Sequence, residues 1–411
     1  MTCSLTLGID PAKRNFTTAF LGEENRPGLA HEFAMDRDGF EALGLAIARR
    51  RAADQRIVIG VEATAALDDN LLAWLLEQRA ALGLRVIRLD PGQVARFSGA
   101  RPVRGKTDRA DARKIARFTA TYADELDAFE TDPQTVAMAR LVNEREALVA
   151  ERTALKNRLH ERVVISFPEL TGLFPDPSAA LARAVLRAAP TAAHALRRRP
   201  ATLARLRSAG KGARPLGEAR AARLLELARR SIASATSRDD ADALVHLLDQ
   251  LELLNRRIEK IEARLAQFAA QVAPATEAAN GDAPAANNPI PLQIRRLSAM
   301  RGIGTVGGAS IVLRSGGLGR FTGPKALAAQ LGACPERCQT GHSFDRGRLT
   351  SRGDRAARTM LYMLTQAICH FDPAMAFHKS LLMERGLKPV AIRHPMPYGD
   401  LVAQKVQRFA T

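Results

Sequence analysis

The chain has 411 residues and a formal net charge of +18 at pH 7. This length exceeds that of one ordinary domain, so two or three domains are expected. The excess of Lys and Arg favours a polyanionic partner, because each cation set against a phosphate releases condensed counterions. An anionic membrane is the competing partner, but the sequence has neither a long apolar run nor an amino-terminal signal pattern. We therefore expect a soluble, cytoplasmic protein that binds nucleic acid and not a membrane.

The first 130 residues predict an α/β domain. Alternating apolar residues in SLTLGID indicate a first strand, and NFTTAFLG and HEFAM indicate two more after tight turns, which together suggest an antiparallel meander. A helical pattern over residues 40–51 precedes RIVIGVEA, an apolar run typical of a buried strand. The helical segment DDNLLAWLLEQRAAL, the fifth strand RVIRLDP and a helix that begins within GKTDRADARKIARF complete the order βββαβαβα. This order is consistent with an RNase H-like (RuvC-like) sheet.

The middle of the chain predicts long helices. Residues 134–164 and 239–272 have helical periodicity with charged intervening positions, which is typical of the two arms of an antiparallel coiled coil. Residues 166–235, between the arms, are rich in Ala, Arg and Pro and favour a small helical insertion. The segment 275–291 is typical of a flexible linker.

The C-terminal part is expected to face phosphate, because residues 293–411 contain 18 basic and 6 acidic residues. The predicted domains are a catalytic domain over 1–130, a coiled-coil region with its insertion over 131–274, a linker over 275–292 and a mainly α-helical C-terminal domain over 293–411.

Four acidic residues fall at structurally related points of the first domain. Asp10 ends the first strand, Glu62 ends the fourth, and Asp108 and Asp111 lie three residues apart on the closing helix. In an RNase H-like sheet these points converge, and carboxylates so close together would repel one another unless cations held them. Two Mg²⁺ ions roughly 3.5 to 4 Å apart can flank a phosphodiester, so the four acids predict a magnesium site.

The alternative interpretation of Asp108 and Asp111 is structural. Eight basic residues lie between positions 96 and 117, where these two are the only acids. A solvated helix with intrahelical ion pairs would use the same residues.

Two C-terminal segments suggest contact with phosphate. LSAMRGIGTVGGASIVL, residues 297–313, places a GIG turn between apolar helical halves and is typical of a helix-hairpin-helix, whose backbone N–H groups approach phosphate closely. An ordinary tight helix pair is the alternative. Further along, a Gly-punctuated loop and helix start bring several arginines together with the hydroxyls of Thr340, Ser343, Thr350 and Ser351. Such a loop can supply a nucleophile, or its hydroxyls can simply donate hydrogen bonds to phosphate.

The sequence resembles the DEDD transposases of bacterial insertion sequences, the IS-one-ten and IS-eleven-eleven group. LGIDPAK is similar to the family's first-strand aspartate motif, GVEATAALDDNLLAWL to its glutamate motif, and KTDRADARKIA to its double-aspartate motif. The central periodicity, RGIGTVGGASIV, FTGPKALAAQLGACPERCQTG and SRGDRAARTMLYM also look like that family. The resemblance covers nearly the whole chain, in the family's order.

The resemblance implies a function and a set of site residues. It implies that Asp10, Glu62, Asp108 and Asp111 are the metal-binding tetrad of a RuvC-like domain, followed by a coiled-coil dimerisation region and a C-terminal transposase domain. It also implies recombination of donor and target DNA guided by a structured bridge RNA, in a dimer or tetramer. The family's DNA-attacking serine corresponds to Thr340 in this chain, and Ser343 is the other candidate nucleophile.

Two other functions use the same residues differently. In a RuvC-like hydrolytic nuclease or junction resolvase, metal-activated water attacks the DNA and Thr340 has no role. In a non-catalytic nucleic-acid-binding protein, the basic charge is sufficient and the acids are structural. A covalent protein–DNA adduct would distinguish the first from a transposase, and metal-dependent cleavage would exclude the second.

Overall fold

The computed structural model describes twelve segments of the chain. They are residues 4–22, 27–51, 55–64, 66–97, 107–130, 132–209, 212–271, 288–321, 323–333, 335–340, 344–349 and 353–386. The chain divides into two compact units, Met1–Pro133 and Gln134–Thr411. The predicted linker over residues 275–291 lies outside the described segments, apart from its last few residues.

The first unit is built on a five-stranded mixed sheet. Its strands are β1 (Ser4–Pro11), β2 (Asn15–Leu21), β3 (Pro27–Ala34), β4 (Arg56–Glu62) and β5 (Leu84–Leu89). The spatial order is β3-β2-β1-β4-β5, in which β1, β2 and β3 form an antiparallel meander while β4 and β5 run parallel to β1 and to each other. This is the strand order of an RNase H-like sheet, as the sequence predicted.

Helices cover both faces of this sheet. They are α1 (Arg37–Arg50), α2 (Asp69–Glu77), α3 (Arg79–Leu82), α4 (Pro91–Phe97) and α5 (Asp108–Tyr122). Residues of β1 and β4 at odd positions, such as Leu7 and Ile59, are fully buried in one core, while Val58 lies in the other core with Ile115 of α5. Alternation along the strands therefore assigns the even-numbered residues of β1 and β4 to the face covered by α5.

The second unit contains two long paired helices, α6 (Pro133–Ser166) and α12 (Arg238–Ala269). Their pairing is antiparallel, since the Arg145 guanidinium contacts Glu262 at 2.7 Å and Arg152 donates to Asn255 at 3.4 Å. The capping box of Ser237 and Asp240 begins α12. Both long helices appear where the periodicity predicted helical arms.

Five short helices form the predicted insertion between these arms. They are α7 (Leu170–Leu173), α8 (Ala180–Ala188), α9 (Ala192–Leu196), α10 (Pro200–Ala204) and α11 (Glu218–Arg229). Their apolar side chains share one core with the end of α6 and the start of α12, including Leu159, Leu203, Leu224 and Leu248. The insertion is therefore a folded subdomain at the end of the helix pair.

The C-terminal segment adds helices to the opposite end of the same pair. These helices are α13 (Ile290–Ser298), α14 (Thr305–Ser315), α15 (Pro324–Gln330), α16 (Arg355–Phe371) and α17 (Pro373–Glu384). A two-stranded antiparallel hairpin, β6 (Pro335–Thr340) and β7 (Phe344–Leu349), lies between α15 and α16 along the chain. One hydrophobic core contains Val142 of α6, Leu265 of α12, Ile311 of α14 and Leu361 of α16. The long helices and the C-terminal helices thus stabilise one another through a shared core.

None of the helices in the described part of the chain is both long enough and apolar enough to cross a membrane.

Candidate functional site

Asp10 and Glu62 occupy neighbouring strand ends. In the parallel pair of β1 and β4, Ile9 is aligned with Val61, and Asp10 and Glu62 are the next residues of the two strands. Both carboxylates lie on the sheet face covered by α5, and both residues are partly buried. The fold therefore brings together the two acids that the sequence placed at the ends of the first and fourth strands.

A third acid lies in the same row of the sheet. Asp10 is paired with Thr17 on β2, and Thr17 is paired with Glu32 on β3, so their side chains project from one face. Glu32 is exposed and accepts a hydrogen bond from the side-chain amide of Asn15. Sequence reasoning missed Glu32, because finding it requires the register of two hairpins.

Two glycines allow α5 to approach this face closely. A Cβ atom built on Gly8 of β1 would lie 2.2 Å from the backbone nitrogen of Ala116 and 2.5 Å from the carbonyl oxygen of Ala112. A Cβ atom on Gly60 of β4 would lie 1.9 Å from the Thr119 hydroxyl oxygen. Gly8 precedes Asp10 by two residues, so the close contact lies beside the strand end that bears Asp10. The absence of side chains at these two positions sets the height of α5 above the acids.

Asp108 and Asp111 lie in the first turn of α5, as the spacing predicted. Thr107 caps the helix by accepting a hydrogen bond from the Ala110 backbone at 3.2 Å, and acidic residues in a first turn are favoured by the helix dipole. Asp108 is exposed, while Asp111 is partly buried and lies 3.9 Å from the Lys114 ammonium. The contact between Asp111 and Lys114 is the intrahelical ion pair that the structural interpretation expects. It accounts for Asp111 in part, whereas Asp108 is exposed to solvent.

The four predicted acids differ in how the structure positions them. Asp10 and Glu62 are neighbours across a strand pair, and Asp108 and Asp111 share one helical turn. Within the described segments, no three His, Cys, Asp or Glu side chains are grouped closely enough to hold one metal ion. The donor chemistry nevertheless fits a hard divalent cation, because all four ligands would be carboxylate oxygens. Their assignment as a metal site stays a prediction.

One of the two candidate nucleophiles ends a strand of the hairpin in the second unit. Thr340 is the last residue of β6 and is paired with Phe344, the first residue of β7. The other candidate, Ser343, lies outside the described segments, as do Thr350 and Ser351. The sequence predicted a Gly-punctuated loop here, and this was wrong for residues 335–340 and 344–349, which are paired as strands. The hairpin was missed because the Cys, Gly and Arg residues of these strands give no clear alternation of apolar and polar positions.

An ion-pair cluster anchors the helix that follows the hairpin. Arg314 of α14 pairs with Glu146 of α6 and donates to Asp354 at 2.7 Å, while Ser310 donates to Glu146 at 3.0 Å. Asp354 also caps α16 by accepting from the Ala356 and Ala357 backbones. Burial alone would raise the pKa of Asp354, but the Arg314 guanidinium and these two N–H donors hold that pKa below its usual range. The cluster ties the start of α16 to the long helix pair.

The GIG turn does join two packed helices, α13 and α14. Gly302 has φ +91°, and a Cβ atom there would lie 2.8 Å from the backbone of Ala367 and Ile368 on α16. Close packing against α16 is therefore sufficient to explain why residue 302 is a glycine, and no contact with phosphate is needed. Gly304 is the N-cap residue of α14, and a Cβ atom built on it would meet nothing within 4 Å. The two helices and the glycine turn of the predicted helix-hairpin-helix are present, while its contact with phosphate stays a prediction.

Comparisons with known families agree with this arrangement. A sequence model of the IS110 family, described as a DEDD transposase, matches residues 7–168. A second model, described as "Transposase IS116/IS110/IS902 family", matches residues 294–379. The first match includes most of β1, the rest of the sheet, α5 and all of α6, and the second runs from within α13 to within α17 and includes the hairpin.

Individual relatives share parts of the chain. An uncharacterized 44.8 kDa protein of insertion element IS116 from Streptomyces clavuligerus is 29% identical over 296 residues, which is 71% of this chain and 68% of that protein. A probable family 20 transposase from Pseudomonas aeruginosa is 28% identical over 156 residues, 37% of this chain and 40% of that protein. An arginine synthetase from Thermococcus kodakarensis is 77% identical over 31 residues only, 8% of this chain and 7% of that protein.

A solved structure of Thermus thermophilus RuvC in complex with a Holliday junction substrate is similar at 16% identity and a TM-score of 0.25. It covers 31% of this chain and 99% of the RuvC chain.

The RNase H-like sheet with carboxylates at neighbouring strand ends thus lies within the part of the chain that matches a DEDD transposase model. More particularly, residues 7–168 and 294–379 are similar to the transposase domains of IS110-family insertion sequences.

Proposed function

We propose that the protein cuts and rejoins DNA to move an insertion sequence by metal-dependent phosphoryl transfer. The observation that carries this proposal is the placement of Asp10 and Glu62 on adjacent strand ends, under a helix that two glycines hold close to the sheet. Asp108 and Asp111 in the first turn of that helix complete the proposed set of oxygen ligands. We propose Mg²⁺ as the ion, because it prefers carboxylates and can neutralise charge that develops on a phosphodiester.

The hydroxyl of Thr340 or of Ser343 is the proposed attacking group. Its oxygen forms a bond to phosphorus, one P–O bond of the DNA breaks, and the departing DNA oxygen takes up a proton to become a hydroxyl end. Attack by another DNA hydroxyl on the protein-bound phosphate reverses the exchange and rejoins the strands. The number of P–O bonds is conserved, so no nucleotide cofactor is required.

Thr340 and Ser343 are both candidates for this role. Thr340 corresponds in position to the family's serine, but its β-branched side chain restricts χ1 and crowds the hydroxyl. Ser343 carries a less hindered primary hydroxyl. The carboxylates and these hydroxyls have to act on one phosphodiester, and we propose that a homo-oligomer and a structured guide RNA organise that arrangement.

Covalent trapping on labelled donor DNA tests the proposal. Wild type is compared with Thr340→Ala, Ser343→Ala and the control Thr359→Ala, which removes an exposed hydroxyl that donates to Arg355 within α16. We expect a Mg²⁺-dependent adduct in wild type and in the control, and its loss in one of the two hairpin variants. Cleavage by the wild type without any adduct would favour a hydrolytic nuclease, in which metal-activated water attacks. No cleavage and no adduct with any divalent ion would contradict catalysis.

A further inference from the structure

The insertion between the two long helices concentrates positive charge. Residues 180–230, here called the arginine-rich subdomain, contain 13 basic and only 2 acidic residues. The flanking helices α6 and α12 together contain 11 basic and 11 acidic residues, so they are balanced. The charge is therefore a property of the subdomain and not of the helical region as a whole. The density of positive charge in the subdomain also exceeds that in the C-terminal segment, residues 293–411.

Most of these arginines are exposed and have no acidic partner. Arg187 is paired with Asp249 and Glu252 of α12, and Arg223 is paired with Glu226. Within the described segments, seven other exposed arginines form no ion pair; they are Arg197, Arg198, Arg199, Arg205, Arg207, Arg214 and Arg220. Arg229 and Arg230 form no ion pair either, but their positive charges act on Glu226. Unpaired guanidinium groups at this density repel one another, which a polyanion would relieve.

The arginines stand on a folded scaffold. Helix α11 buries Ala221, Leu224 and Ala228 on one side, which leaves Arg223 and Arg230, two turns apart, on the opposite side. The backbone of Arg207 is bridged to Pro215, which holds two arginine-bearing segments side by side. A preformed surface loses less conformational entropy on binding than a disordered basic tail would.

The composition favours a duplex over unpaired bases. No Phe, Tyr or Trp occurs between residues 175 and 237. Proteins that bind single strands or RNA loops usually stack bases on aromatic side chains, whereas contacts to a duplex backbone require only cations and hydrogen-bond donors. Arginine is well suited to phosphate because its planar guanidinium can donate two hydrogen bonds at once.

We infer that the arginine-rich subdomain binds the phosphate backbone of duplex DNA, an inference that rests on the proposed action on DNA. It contacts DNA without reading sequence. Its core lies at the end of the α6–α12 pair opposite to the core shared with the C-terminal helices. Leu148 and Val163 of α6 belong to these two cores, and a rise of about 1.5 Å per residue separates them by roughly 20 Å. The subdomain thus provides a second DNA contact away from the hairpin.

Binding of the full-length protein to labelled duplex DNA, measured over a series of salt concentrations with EDTA present, tests this inference. The test variant replaces Arg197, Arg205, Arg207 and Arg214 with Gln. The control variant removes the same charge from exposed positions of the long helices by replacing Arg158, Arg256, Lys260 and Arg264 with Gln. Circular dichroism and thermal unfolding establish that both variants remain folded.

The test variant should lose affinity for duplex DNA by at least about ten-fold near 0.1 M salt. The slope of log K against log salt should become shallower by about 0.9 for each phosphate contact removed. The control variant should stay close to wild type. Equal losses in the two variants would overturn the inference in favour of net charge, and an unchanged test variant would overturn it directly. A loss confined to single-stranded DNA or structured RNA of matched length would assign the surface to another partner and also overturn it.

The design separates this inference from the proposed chemistry. All measurements are repeated in an Asp10→Asn background, in which cleavage is expected to fail. A test variant that still binds duplex DNA more weakly than the control variant in the Asp10→Asn background would support the DNA-binding surface. Absence of any adduct and of any cleavage in the protein with Asp10 intact would contradict the catalytic proposal.

Discussion

Gly8→Ala should disturb the site through a single methyl group. The added Cβ atom would lie 2.2 Å from the Ala116 nitrogen and 2.5 Å from the Ala112 carbonyl oxygen. Both obstacles are backbone atoms of α5, so no side-chain rotation removes the clash. Since unstrained contacts between heavy atoms begin near 3.5 Å, the helix has to retreat by roughly 1 Å. That movement would displace Asp108 and Asp111 relative to Asp10.

Two consequences can be measured separately. Overpacking of this kind costs about 1–3 kcal/mol of unfolding free energy, to be measured by urea denaturation. A displacement of about 1 Å in a catalytic group costs on the order of 100-fold in rate, to be measured as Mg²⁺-dependent cleavage at a temperature where the variant is folded. Gly172→Ala is the control, because a Cβ atom there meets nothing within 4 Å. A Gly8→Ala variant as stable and active as that control would refute the account of how α5 is positioned.

Two further substitutions probe other contacts. Gly60→Ala should lower the unfolding free energy by about 1–3 kcal/mol, and adding Thr119→Ala should restore part of it, because the nearest obstacle, at 1.9 Å, is the Thr119 hydroxyl; urea denaturation of the single and double variants decides this. Asp354→Asn keeps a capping side chain but removes the charge facing Arg314, so it should cost about 1–3 kcal/mol at pH 7. Because the pKa of Asp354 is lowered on folding, its contribution is present above the unfolded pKa near 3.9 and is lost as pH falls through the folded value. The two proteins should therefore converge in stability below about pH 4, and a pH-independent difference would contradict the ion pair.

The alternation of apolar residues, together with the turns between the segments, was sufficient to predict the sheet. The apolar alternation of β1 and the continuous apolar run of β4 predicted their burial, and the stretch GKTDRADARKIARF was predicted to contain the start of α5. Helix α4 was missed because Pro91 ends one pattern and the helix that it begins is only seven residues long. The break at Gln78 between α2 and α3 was also missed, since the helical periodicity continues through it.

Only the part of the candidate site that follows from the order of the strands could be predicted from the sequence. Parallel pairing of β1 with β4 follows from the order of elements, so Asp10 and Glu62 could be expected at one edge. Glu32 could not, because it depends on the registers of two antiparallel pairs. The arginine-rich subdomain was visible in composition alone, but the small number of its ion pairs could be known only from the positions of the folded side chains.

Iron-directed cleavage of the backbone tests the proposed metal site most directly. Fe²⁺ replaces Mg²⁺ in the full-length protein, and ascorbate with peroxide then generates hydroxyl radicals that cut the chain near the bound ion. The account predicts cuts at the ends of β1 and β4 and at the start of α5, near Asp10, Glu62 and Asp108 to Asp111, with suppression by excess Mg²⁺. Asp10→Asn should abolish all three sets of cuts together. Cuts confined to other parts of the chain, or cuts beside β1 and β4 with none at the start of α5, would contradict a metal site formed by these four carboxylates.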